Sequence, residues 1–139
     1  MRIWHQSLIQ HLPSVKDFKG SSNQLGGQHT EIRMILAMIK RRGKVNHSVV
    51  NYVNDHPLSY LYAYGLLIID EMKQRGFQVS TTIEEEYRQD SDALTIYNQA
   101  LLGTIIYPEH NDLYLQECLL NLKNKGIVIK YPLFPHQMD

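Results

Sequence analysis

Seven histidines, one cysteine and a basic run over residues 40–44 are the groups in this 139-residue chain whose chemistry stands out first. A catalytic zinc usually takes two ligands at close spacing on one element. Here His5 and His11 are six residues apart, His47 and His56 are nine apart, and no HxxxH pair exists, so no metal is expected. The phosphate-cradling patterns GxxxxGK and GxGxxG are both absent. Cys118 falls within the apolar pattern of the last helix and reads as a small core residue rather than a nucleophile. The run Lys40, Arg41, Arg42 and Lys44 suits phosphate contacts, and suits equally well a solvated helix end favoured by the dipole. Glu31 lies at the edge of an apolar stripe, between core and surface. Its residue type and place alone make it a surface acid.

Helices must position these groups. Ile3–Leu12 carries a partly helical pattern that Pro13 stops. Residues 13–24, rich in Ser, Gly and Lys, read as an exposed loop. Leu25–Arg42 is a helix with Ile32, Ile35, Leu36 and Ile39 in one stripe, and Gly43 is placed to end it. Pro57 opens a long helix to Arg75, with Asp55 its candidate cap. Apolar residues surround the first three turns of that helix, so it should lie at the centre. The run Thr81–Glu86 looks like a capped first turn, Asp92–Leu102 a shorter helix, and Pro108–Lys125 the last one. Residues 127–139, with two prolines, should wrap the surface or pair briefly as a strand. The fold class is therefore all-α: one compact helical bundle spanning residues 1–139 as a single domain, with a long central helix.

Apolar content of 43% and a charged fraction of 20% are those of a folded globular chain. The longest uncharged apolar stretch, residues 58–69, is far short of the roughly 20 residues a membrane helix needs, so no membrane association is expected. No secretory signal is visible, and a lone cysteine points to a reducing compartment, the cytoplasm. The formal net charge of zero conceals an asymmetry. Residues 1–50 hold eight basic groups against Asp17 and Glu31, a balance of +6 that residues 51–139 cancel. A protein that grips phosphates needs a local positive field rather than a positive total.

One stretch brings a family into view. Leu25-Gly-Gly-Gln-His-Thr-Glu31-Ile resembles the catalytic helix of the pyrimidine-dimer DNA glycosylases, the family of phage endonuclease V. Met1-Arg2-Ile3 resembles the Thr-Arg-Ile opening of its mature phage member. Val50–Leu61 with Asp70–Phe77 resembles the central helix, and Tyr107-Pro-Glu-His110 the start of the final one. The order and spacing of these patches carry the match to about residue 125.

The resemblance implies a helical repair enzyme acting on damaged double-stranded DNA, without metal or other cofactor. Its N-terminal α-amine attacks the sugar C1′, a Schiff base forms, and β-elimination cuts the strand. By position the essential glutamate is Glu31, and the nucleophile is the amine of Met1. Arg2 matches the family's second residue, and Arg33 lies near its helix arginine. Gln28 and His29, within a turn of Glu31, are candidates for a flipped-nucleotide pocket, and His5 is a candidate to join them. Lys40, Arg41, Arg42 and Lys44 are candidates for holding backbone phosphates. Thr30, also a candidate DNA contact, stands where the family has an arginine, a departure that concerns grip and lesion choice. The C-terminal aromatic and basic tail is echoed only by Lys130, Tyr131 and Phe134. The chain is expected to act as a monomer without an obligate protein partner. The alternatives are a non-catalytic helical DNA- or protein-binding module that kept the fold, and a metal-dependent hydrolase using histidines.

The chemistry also stands on its own. A nucleophilic amine must be neutral, and at pH 7 roughly 14% of an α-amine is free base against about 0.04% of a lysine side chain. A carboxylate at the core edge suits proton transfer to the ribose oxygen or from C2′. Removal of an initiator methionine requires a small second residue, and Arg2 is large. Met1 is thus expected to remain and to supply the attacking amine. Mass spectrometry of the native protein should find Met1, deformylated, at the terminus; finding Arg2 there would overturn the assignment.

Overall fold

The computed structural model describes residues 1–14 and 23–129. Lys16 and Lys19, most of the expected 13–24 loop, and Lys130, Tyr131 and Phe134 of the tail lie outside these residues. Among the described residues the regular structure is all helical. Five α-helices run α1 (Gln24–Arg42), α2 (Leu58–Gln74), α3 (Thr81–Arg88), α4 (Ser91–Leu101) and α5 (Asp112–Asn124). Short 3-10 helices cover Gln6–His11 and Asn51–Asp55. Among the described residues no helix is long and apolar enough to cross a membrane.

α2 is the pillar, as its apolar perimeter requires. Leu61, Ala63, Tyr64, Gly65, Leu66, Ile68 and Ile69 are all buried, and α1, α3, α4 and the first 3-10 helix pack against it. A helix apolar all round is stable only inside such a ring, because each face removes carbon from water. α1 presents Leu25, Ile32, Ile35 and Leu36 to the same core. The last helix contributes Leu115, Cys118 and Leu122. At Gly65 two helices meet closely: a Cβ there would lie 2.6 Å from Cε2 of the Tyr87 ring.

Helix boundaries follow local chemistry. Asn23 caps α1 through the Gly26 N–H at 3.2 Å. Gly43, at φ +79°, ends the helix by donating to Ile39 O at 2.7 Å. Asp55 does not cap α2. It sits in the Asn51–Asp55 turn, and Pro57 takes the N-cap position with its carbonyl accepting from Tyr60 N–H at 3.0 Å. α5 starts at Asp112 rather than Pro108, because His110 folds back as Tyr107 O accepts its N–H at 2.9 Å and Asn111 then caps the Tyr114 N–H at 2.9 Å.

The opening departs most from its helical pattern. Residues 1–5 are not helical, and only Gln6–His11 closes into 3-10 turns. His5 caps that segment by accepting the Ser7 N–H at 3.1 Å. Its apolar residues Ile3, Leu8, Ile9 and Leu12 are buried all the same.

Gly65→Ala must push Tyr87 off the central helix. It should lower stability by about 1–3 kcal/mol in denaturant melts, whereas Gly27→Ala, where a Cβ meets nothing within 4 Å, should be neutral or stabilising.

Candidate active site

Residues 2–4 run beside α1 without a helical or strand partner, and side chains supply their hydrogen bonds. Gln28 donates from Nε2 to Arg2 O at 2.9 Å and accepts the Trp4 N–H on Oε1 at 2.6 Å. Tyr64, fully buried on α2, has its hydroxyl 2.7 Å from Trp4 O and 3.0 Å from Gln28 Oε1. From the other side Tyr114 of α5 donates to Ile3 O. Every polar atom of the Gln28 amide that touches the opening segment is engaged, as burial to 2% exposure demands.

This anchoring brings the chain terminus into a cleft of about 460 Å³. Met1, Arg2 and Trp4 form one wall, Gln24, Gly27, Gln28 and Glu31 of α1 another, and Asn121 and Lys125 of α5 a third. The α1 residues fall at i, i+3, i+4 and i+7, one stripe of the helix. Met1 and Glu31 therefore share a single polar hollow. Glu31 is half-buried, and its Oε2 is buried with no hydrogen-bond partner among the described residues.

Arg2 lies beneath the terminus. Its guanidinium carbon is 5.8 Å from the Trp4 ring and 5.6 Å from the Tyr114 ring, and Nη1 is 3.6 Å from Glu117 Oε2. Two aromatic faces and a carboxylate fix the charge in place. Under this layer His5 stacks on His110, and His110 on Tyr114. His110 Nδ1 accepts the Gln6 N–H at 3.0 Å, so the ring proton sits on Nε2, 2.8 Å from the Tyr52 hydroxyl.

The other sequence candidates are distributed differently. Arg33 pairs with Glu86 of α3, and Lys40 Nζ is 2.7 Å from the same carboxylate, on a face of α1 away from the cleft. Thr30 is exposed, with Oγ1 donating to Gly26 O at 3.3 Å. His29 is half-buried beside Arg33, and burial followed by that positive charge pushes its pKa down. Arg41, Arg42 and Lys44 are exposed at the far end of α1. Asn121 and Lys125 carry no sequence signal that points to this cleft; Lys125 marks only the expected end of the last helix. A larger cavity of about 790 Å³ opens elsewhere, between the first 3-10 helix, α2 and the end of α4. Its charged groups are already paired: Glu71 with Arg75 at 2.8 Å, Lys73 with Glu84 at 2.5 Å, and Asp70 with Tyr97. Among the described residues no group of three or more His, Cys, Asp or Glu is arranged to hold a metal ion.

A small helical protein whose own chain terminus shares a cleft with an unpartnered carboxylate is the class that fold and site define. The family model for pyrimidine dimer DNA glycosylases matches residues 1–85, more than half of the chain, and the chain belongs to that family of DNA-repair enzymes. The matched span contains Met1, Arg2, Gln28 and Glu31, while Asn121 and Lys125 lie beyond it. No curated protein and no solved structure matches the chain.

The histidine layer gives the fold an acid sensitivity of definite sign. Burial, and then His5, push the His110 pKa down to about 3; burial lowers His5 as well. The unfolded chain protonates these rings near pH ~6.5 and the folded one does not. Stability is therefore fully present above that pH and, through His110, falls by about 1.4 kcal/mol per pH unit as acid is added toward pH 3, His5 adding a loss of the same sign. Melts of His110→Gln should show a shallower loss across this window than the parent protein; identical slopes would refute the assignment.

Proposed function

We propose that this protein excises damaged pyrimidines from duplex DNA and cuts the resulting abasic strand, with the Met1 α-amine as nucleophile and Glu31 as the proton-transfer group. The observation that carries the reading is the shared cleft, with Glu31 Oε2 buried and unpartnered at its wall. The neutral amine forms a bond to C1′ of the sugar as the C1′–base bond breaks, its electron pair leaving with the base, which takes up a proton. Opening of the C1′–O4′ bond gives the iminium, and O4′ receives a proton. Glu31 then removes a proton from C2′, the new C=C bond forms, and the 3′-phosphate departs. Water hydrolyses the imine and returns the free amine. The amine needs no cofactor for these steps.

DNA contact divides by location. Arg2 and Lys125 place positive charge in the cleft itself. Arg42 lies about 16 Å along α1 from Glu31, from eleven residues at 1.5 Å each, close to five base-pair steps of duplex. Arg41, Arg42 and Lys44 thus hold backbone phosphates flanking the lesion. Arg33 and Lys40, bridged by Glu86, tie α1 to α3. Gln28, whose amide bonds Arg2 O and the Trp4 N–H, serves the opening segment at the cleft wall.

Borohydride trapping on abasic and ultraviolet-irradiated duplexes tests the reading. A covalent adduct should form on both, survive EDTA, vanish after N-terminal acetylation, and drop at least about 100-fold in rate in Glu31→Gln. No adduct on either substrate would leave a DNA-binding module and exclude the enzyme.

A further inference from the structure

The amine and the carboxylate in this mechanism sit on different parts of the chain, and their relative placement decides the rate. An amine on a frayed terminus is spread over a large volume, and a displacement of about 1 Å can cost on the order of 100-fold in rate. Chain termini fray unless tied down. Here one side chain makes two of the ties. Gln28 bonds both main-chain groups that flank Ile3 on one side, Arg2 O at 2.9 Å and Trp4 N–H at 2.6 Å, as a neighbouring strand would. Tyr114 takes Ile3 O on the opposite side, the alternation an extended segment produces.

Gln28 also lies one helical turn before Glu31 on the same stripe of α1, so the group that holds the amine's strand and the group that moves the proton ride on one rigid turn. The amide's orientation is itself fixed. Tyr64 brings its hydroxyl within 3.0 Å of Oε1, which already accepts from Trp4 N–H. Reversing the amide would set its NH2 against the Trp4 N–H and its oxygen against Arg2 O.

Building on the Met1 reading above, we infer that Gln28, locked by Tyr64, is the positioning pair that sets the amine at its working distance from Glu31. Neither side chain acts on the reacting atoms: Tyr64 is fully buried, and the Gln28 amide is turned onto the opening segment. Their effect falls on the chemical step and leaves DNA affinity to Arg2, Lys125 and the exposed cations.

The experiment is single-turnover borohydride trapping on an abasic duplex, with rate measured against DNA concentration. The proteins are wild type, Gln28→Met, Tyr64→Phe and Ile69→Val, the last a core change that makes none of these hydrogen bonds. Melting curves accompany each. Tyr64→Phe keeps the ring and removes only the hydroxyl, so it remains folded even where Gln28→Met does not. Both clamp variants should lose about tenfold or more of the saturating rate while the half-saturating DNA concentration stays within about twofold. Ile69→Val should keep the wild-type rate. Tyr64→Phe trapping at the wild-type saturating rate, or losing only DNA affinity, would overturn the inference. N-terminal acetylation of the wild type separates the two ideas: continued trapping sinks the Met1 reading together with this inference, whereas abolished trapping beside a fully active Tyr64→Phe sinks the inference alone.

Discussion

Buried main-chain groups must be paired, and among the described residues no helix or sheet pairs those of residues 2–4. That constraint organises the site. A glutamine from α1 and tyrosines from α2 and α5 supply the missing partners, so three helices converge on three residues. An orphaned buried amide or carbonyl costs about 1–3 kcal/mol, more than a made bond returns. The segment is thereby held to one path, over the Arg2, Trp4 and Tyr114 stack and into the cleft.

Charge is arranged around the same cleft with restraint. The basic first third of the chain does not form one positive face. Glu86 takes Arg33 and Lys40, and Glu117 stands beside Arg2. Among the described residues Arg41, Arg42 and Lys44 at the exposed end of α1, and Lys125 just past α5, have no such carboxylate partner. A neutral protein can still meet a polyanion when its free cations are concentrated where the substrate lies and its acids are spent on internal pairs elsewhere.

The helices were legible because burial imprints a period on sequence. The stripe Ile32–Ile39 and the apolar perimeter of residues 58–69 each place a helix and its buried side, and Gly43 marks an end. The opening was legible only as apolar: Ile3, Leu8, Ile9 and Leu12 do go inside, but what decides their backbone are Gln28, Tyr64 and Tyr114, which lie from 24 to 111 residues away in the chain. Glu31 at the edge of its stripe does face the cleft, as the helical period requires. The pairing of Arg33 and Lys40 was hidden because Glu86 arrives from a helix that local pattern cannot orient. Buried tyrosines in the apolar run of α2 carried an unread signal, since a phenol in a core needs a partner for its hydroxyl.

The opening residues are gripped by their peptide groups: Arg2 O, Ile3 O, Trp4 N–H and Trp4 O. Such a grip reads register and ignores side-chain identity at the first position. An added residue at the start would leave the bonds to Ile3 and Trp4 in place and carry the amine one extended residue, about 3.3 Å, beyond its present place. The reach of the terminus is thus set by how many residues precede the first gripped carbonyl, Arg2 O, and a side-chain change at position 1 leaves that reach unaltered.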